Sequence, residues 1–242
     1  MNETQLCEKF ISAADEDGWT VYPEVKKWDM VLVWENDPLP AYDLQTGDQV
    51  AVEAKTRANV KSIHQAITRS RGAERPNFRA VLAPRASSEF QYVAGRLKVG
   101  VFTLQHCGPW QKGGKSSYEY PRKTVRPPQW RFDPSSQLWL PPVVPDIQAG
   151  ASSPRALTPW RVAALKLCKI LDQRGWVTSK DFKALDLSMK IWKGRKNWLR
   201  HDGKVGRCYR YVKGSGKGFP SKGWETEMEA IKISDDERYD YG

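Results

Sequence analysis

The sequence predicts an α/β protein in which a mixed central sheet flanked by helices fills the N-terminal part and a small, strongly basic helical domain follows. Three observations carry this reading. Apolar residues over positions 1–107 recur with helix and strand periods in the order α-β-β-β-α-β-α-β. Ten of the 16 prolines fall between Pro109 and Pro159, a stretch that resists long helices and central strands and marks a connector over 108–157. Residues 155–222 hold 18 Lys and Arg against 4 Asp and Glu, a formal +14, whereas the whole chain of 242 residues carries +11.

The elements follow in order. Leu6, Phe10, Ala13 and Ala14 are spaced for an amphipathic helix that ends near Gly18. Trp19–Tyr22 reads as a strand, and Trp28–Trp34 as a second, mostly buried one. A turn-rich loop with Pro38, Pro40 and Gly47 leads to the alternating strand Gln49–Lys55. Ala58–Arg71 carries Val60, Ile63 and Ile67 on one helical face; Phe78–Ala83 is a strand, Ser87–Leu97 a helix and Val99–Leu104 a last strand. Short early connections favour hairpins and the later β-α-β-α-β run favours parallel pairing, so the sheet should be mixed. Within the connector, Trp130–Phe132 and Leu138–Leu140 are spaced for a small hairpin.

Composition excludes several classes. A mean hydropathy of −0.65 and the lack of a long apolar run argue against a membrane span. The start Met1-Asn2-Glu3-Thr4-Gln5 is not that of a secretion signal, and four scattered cysteines without CxxC fit neither a disulfide scaffold nor a zinc ribbon. A reducing cytoplasm is the expected location. No P-loop or Rossmann context accompanies the glycines, so nucleotide hydrolysis is not supported. The basic excess points to polyanions, foremost DNA.

The strand Gln49–Lys55 carries the chemistry. Side chains two apart on a strand share a face, so Glu53 and Lys55 project together while Val50, Val52 and Ala54 take the other side. Charged groups on an otherwise apolar strand are costly unless that face is wet or functional. Asp29 opens the preceding strand, which a hairpin sets beside this one. Two carboxylates from neighbouring strand ends make a hard-oxygen site suited to Mg²⁺ (or Mn²⁺), with Asp29 and Glu53 as ligands. The adjacent Lys55 is placed to orient a water or offset charge on a phosphate. Lys61, Gln65 and Thr68 form a polar stripe on the following helix.

Asp29, then Glu53-Ala54-Lys55, then a helix with Gln65-Ala66, within this element order, resembles the PD-(D/E)XK nuclease superfamily, the restriction-endonuclease-like fold. The resemblance covers residues 1–105. It implies that Asp29 and Glu53 bind metal, that Lys55 supports the attacking water, and that Gln65 lies near the site. The family's Pro-Asp is here Trp28-Asp29, with Pro23-Glu24 slightly upstream. The family often adds an acid from the first helix or nearby; Glu24 or Glu8 would fill that place, with Glu24 favoured.

In the basic domain, Thr158 followed by Pro159 starts a helix that Gly175 ends, and Thr178–Leu185 reads as a second. A third helix is expected over Met189–His201, followed by a strand over Lys204–Val212 with a glycine-rich flank. This arrangement over 158–222 resembles a winged helix–turn–helix domain. Lys190, Lys193, Asn197 and Arg200 would make one exposed stripe for a major groove, with Lys196 alongside and Arg207, Arg210 and Lys213 on the wing. Residues 223–242 carry 7 acids and 2 basic residues, expected to be a solvated tail that tempers nonspecific binding.

The function expected is a metal-dependent DNA endonuclease that holds double-stranded DNA by its winged helix. A nuclease domain followed by a winged helix also resembles the nuclease subunit of heteromeric cut-and-paste transposases, which implies phage or mobile-element DNA processing and either a homodimer or a transposase or replication partner. Two alternatives stand beside it: a non-catalytic DNA-binding regulator or recruitment protein on a nuclease-like scaffold, and an RNA-processing enzyme of the same fold.

Overall fold

A computed structural model of the chain describes residues 1–104, 125, 127–150, 156–195, 198–202, 208–211 and 224–232. The chain divides into two compact units, Met1–Leu140 with Ile147–Ala156, and Pro141–Asp146 with Leu157–Gly242.

In the first unit, helix α1 (Glu3–Glu16) begins in a capping box between Asn2 and Gln5 and buries Leu6, Cys7, Phe10 and Ala14. Gly18 follows it in the left-handed region at φ +86°, and a side chain there would strike Asn36. Strands β1 (Trp19–Pro23), β2 (Met30–Trp34), β3 (Gln49–Ala54), β4 (Phe78–Ala83) and β5 (Gly100–Thr103) form one sheet in that order. The first two pairings are antiparallel and the last two parallel, as short turns and helical crossovers dictate. Helix α2 (Val60–Arg69) links β3 to β4, and α3 (Ser88–Arg96) links β4 to β5.

The alternation of strand side chains yields two cores. Val50, Val52 and Ala54 of β3 join Leu6 and Phe10 of α1 on one face. Ala51 joins Ile63 and Ala66 of α2 and Phe90 and Ala94 of α3 on the other. All six residues of β3 are buried, as expected of the middle strand of five.

The connector does not form the expected hairpin over Trp130–Leu140: no strand is present there. Its backbone instead bonds to the edge of the first unit. Phe132 N donates to Asn77 O at 2.7 Å, Arg75 N to Ser136 O at 2.9 Å, and Trp139 N to Glu74 Oε2 at 2.8 Å. The buried Gln49 amide accepts from Leu138 N (2.9 Å) and donates to Leu138 O (3.0 Å), supplying both bonds a strand partner would have made. Side-chain partners therefore outcompeted hairpin pairing.

In the second unit, α4 (Pro159–Arg174) starts at the Thr158 cap and stops at Gly175, which is left-handed at φ +76°. Helix α5 (Ser179–Ala184) opens on a capping box between Thr178 and Asp181. The expected third helix over Met189–His201 is corrected at its C-terminal end: Met189 and Lys190 are α-helical and Ile191–Arg195 continues as a π-helix, but Leu199–Asp202 is a strand, β6. Gly194 weakens helix at that point, and Trp198 N bonds back to Trp192 O at 2.8 Å so that Trp198 packs edge-on against Trp192. Pairing of β6 with β7 (Cys208–Tyr211) then takes over from helical propensity. Val177 makes a further antiparallel bridge to Tyr209.

The acidic segment is also corrected in part. Glu225–Ala230 is a helix, α6, flanked by buried Trp224 and Ile231, and Lys169 Nζ donates to the carbonyls of Glu229 (2.9 Å) and Ile231 (2.7 Å). This part of 223–242 belongs to the second unit's core; residues 233–242 lie outside the described residues.

Two outcomes check this packing. Gln49→Leu orphans both backbone groups of Leu138 and should lower stability by about 2–4 kcal/mol in denaturant titration; a change below about 0.5 kcal/mol contradicts it. Truncation after residue 222, which removes α6 with Trp224 and Ile231, should lower the melting temperature by more than truncation after residue 232, which keeps them.

Candidate active site

The turn from β1 to β2 is tight: Glu24 and Lys26 are left-handed, and Glu24 N donates to Asp29 O at 3.0 Å. Trp28, where the nuclease family has proline, is fully buried in the core beneath the sheet and anchors the turn. Asp29 is thereby fixed at the start of β2. The register Met30↔Val52 sets Asp29 opposite Glu53, on the same face of the sheet. Asp29 Oδ2 accepts from Ala54 N at 2.7 Å, tying the two strand ends together.

Glu53 has no exposed side-chain surface. Its Oε2 is bonded by Arg69 of α2. Its Oε1 lies 2.9 Å from Lys55 Nζ, in ion-pair range, yet out of line for a hydrogen bond, so that oxygen is buried without one. Lys55 Nζ also lies 3.9 Å from Asp29 Oδ2 and 3.5 Å from Glu3 Oε2, and donates to Ala54 O at 2.8 Å. The structure therefore brings Asp29, Glu53 and Lys55 together. It adds two residues that sequence reasoning missed, Glu3 and Arg69.

Both had a signal. Glu3 lies in the first turn of the helix beside the site. Arg69 follows Lys61 and Gln65 at successive steps of four along α2, the spacing of one face. The stripe continues through Arg69 and not through Thr68, which is exposed and lies 3.5 Å from His64.

Glu24 is buried, and its Oε1 accepts from Gly150 N at 2.7 Å. Gly150 itself packs against Cys7 and the backbone of Glu3, and the charges of Asp29, Glu24 and Glu3 all raise the pKa of the Cys7 thiol. Burial and these charges together push that thiol up to about 12, so Cys7 stays protonated and is no nucleophile. Glu8 points elsewhere, exposed and bonded to Gln148 Nε2 at 2.8 Å. Gln65 lines a cavity of about 320 Å³ beside the site, together with Lys55 and Glu3.

Among the described residues, no three His, Cys, Asp or Glu side chains group as a metal cage. Glu3, Asp29 and Glu53 all lie within ion-pair range of Lys55 Nζ. The donor chemistry nevertheless suits a hard divalent ion. Glu3, Glu24, Asp29 and Glu53 against Lys55 and Arg69 leave a formal −2, and Glu53 Oε1 is a buried oxygen lacking a hydrogen bond. Mg²⁺ asks for only one or two protein carboxylates, and Asp29 and Glu53 are the residues that could hold it.

The basic residues of the second unit are only partly gathered. Lys190 is exposed beside the π turn. Lys193 Nζ lies 4.4 Å from the Tyr209 ring centroid and donates to its hydroxyl at 3.2 Å, a cation–π seat. Arg200 stands on β6 and not on a recognition helix, so the single helical stripe is overturned; its register partner is Arg210. Lys196, Asn197, Arg207 and Lys213, and the side chain of Arg210, lie outside the described residues. Among the described residues no helix is long and apolar enough to cross a membrane.

Burial raises the Asp29 carboxyl above its ordinary value, against the lowering pull of the Ala54 amide, Lys55 and Arg69. The folded chain thus holds that proton more tightly than the unfolded one. Its contribution to stability falls as pH rises from the ordinary value through the raised one, and the full cost persists above it. Asp29→Asn should therefore raise the melting temperature at pH 7 and reduce the stability gained on acidification; a drop in melting temperature contradicts this.

The chain matches no family model, no curated protein and no solved structure.

Proposed function

We propose that the chain is a divalent-metal-dependent DNA endonuclease whose first unit, a restriction-endonuclease-like PD-(D/E)XK domain, hydrolyses a phosphodiester while its second, a winged helix, grips double-stranded DNA. The observation that carries this reading is the meeting of Asp29, Glu53 and Lys55, with Lys55 Nζ 3.9 Å from one carboxylate and 2.9 Å from the other. The element order, with Asp29 at the start of β2 and Glu53 on central β3, supports the same reading.

Asp29 and Glu53 would hold Mg²⁺ or Mn²⁺. Such an ion neutralises charge on the scissile phosphate and makes a water more acidic. It also favours the ionised form of Asp29, which burial disfavours. Lys55 orients the attacking water and offsets charge growing on the phosphate. Gln65, on the wall of the adjoining cavity, positions water or phosphate. Glu24 adds negative charge behind Asp29 and is held by Gly150 N.

For the second unit, the order α4, the Val177 bridge, α5, the helical turns at 189–195 and the β6–β7 pair supports the winged-helix reading. Lys190, Lys193 and Arg200 are its described cations. The non-catalytic alternative draws on one observation: Glu53 is already paired with Arg69 and Lys55, as in a purely structural ion network.

A cleavage panel decides between them. Plasmid, linear and branched DNA should be cut in Mg²⁺ or Mn²⁺ and not in EDTA. Lys55→Ala should lose about 10²–10³-fold in rate and Asp29→Ala at least as much. Activity that persists in both variants refutes the reading, and competition with duplex RNA separates DNA from RNA processing.

A further inference from the structure

We infer that the cavity beside the carboxylates seats a backbone phosphate of the bound nucleic-acid strand, gripped by Arg57 and Lys61; this deepens the proposed function and rests on it. The cavity, about 320 Å³, is lined by Lys55, Arg57 and Lys61 against one acid, Glu3, a formal +2. That volume lies at the small end of ligand pockets, suited to a phosphate with its sugar.

The cations differ in how they are held. Lys55 and Arg69 are paired with acids of the site. Arg57 and Lys61 have no acidic partner within ion-pair distance among the described residues, yet both face one concavity. Their setting is rigid. Asn59 Oδ1 accepts from Ser62 N at 3.0 Å and its Nδ2 donates to Arg57 O at 3.2 Å, which fixes the loop between β3 and α2. Lys61 and Gln65 lie one turn apart on α2, and the helix N-terminus at Val60 adds partial positive charge. Lys55 belongs both to the cavity wall and to the Glu53 ion pair, so a strand anchored here would lie beside the carboxylate site. A cationic seat abutting a net-negative site suits a chain of repeating phosphates, one gripped and the next exposed to the ion.

The test uses the full chain in EDTA and a fluorescent thymidine pentanucleotide, read by anisotropy over a salt series. Arg57→Ala/Lys61→Ala should weaken binding at least tenfold and lower the salt slope by about 1.4, as loss of two single-strand phosphate contacts requires. Lys193→Ala/Arg200→Ala, in the second unit, should leave most of that slope. The inference is overturned by unchanged affinity in the first variant. It is equally overturned if inorganic phosphate competes as well as unlabelled pentanucleotide, which would make the cavity a simple anion site. Both exposed substitutions should leave the ligand-free melting temperature unchanged. A wild-type chain that binds through Arg57 and Lys61 but never cleaves keeps this seat and loses the hydrolase; cleavage at unchanged KM in the first variant removes the seat alone.

Discussion

A carboxylate with no exposed surface must be met by opposite charge, and Glu53 is met from two sides, by Arg69 on α2 and by Lys55 two residues along its own chain. Removing one partner of such a buried pair costs on the order of 3–5 kcal/mol, because an uncompensated charge remains. The requirement reaches far into the fold. It is met because Ile63 and Ala66 turn one face of α2 to the sheet with Arg69 beside Glu53, and because the strand register brings Asp29 across from Glu53. The pairing of Glu53 Oε1 with Lys55 is incomplete, since the oxygen makes no hydrogen bond. A more compact and more highly charged cation would satisfy it better, which links the packing of the first unit to its proposed chemistry.

The sheet gives this arrangement its rigidity. Strand β3 is buried at every position and paired on both sides, antiparallel to β2 and parallel to β4. Its end carries Lys55, whose amide donates to Leu82 O at 2.8 Å, so the ladder runs to the edge of the site. The acids come from three directions: the first turn of α1, the β1–β2 turn, and the two central strands. Gly150 stands where a side chain would meet Cys7 Sγ at 3.0 Å and the backbone of Glu3 at 3.2 Å, and its amide holds Glu24. A connector residue distant in sequence thus completes the floor.

Much of this was legible in the residues. Strand alternation around Glu53, the cap and stop of α4 at Thr158 and Gly175, and the mixed pairing of the sheet follow from local rules. What escaped depended on partners far along the chain. Glu3 reads as an ordinary helix-start acid until α1 is laid against the sheet. Arg69 declares itself only once Glu53 is known to be sealed from water. The shortened third helix is instructive for the opposite reason: the stripe Lys190, Lys193, Asn197, Arg200 is helical in period, but the helix holds only over 189–195, and the strand pairing of Leu199–Asp202 takes Arg200 out of it. The connector hairpin failed likewise, because Gln49 and Asn77 offered side-chain bonds that a local strand partner had to outcompete.

On the proposed function, Asp29 and Glu53 would form the seat of one divalent ion. Electron paramagnetic resonance titration of the full chain with Mn²⁺, free of nucleic acid, tests it most directly. One ion should bind per chain, be displaced by Mg²⁺, and be lost when Glu53 is replaced by alanine or glutamine. Binding of no ion, or of an ion indifferent to both Glu53 replacements, would contradict the account and leave the Glu53 cluster as a structural ion network.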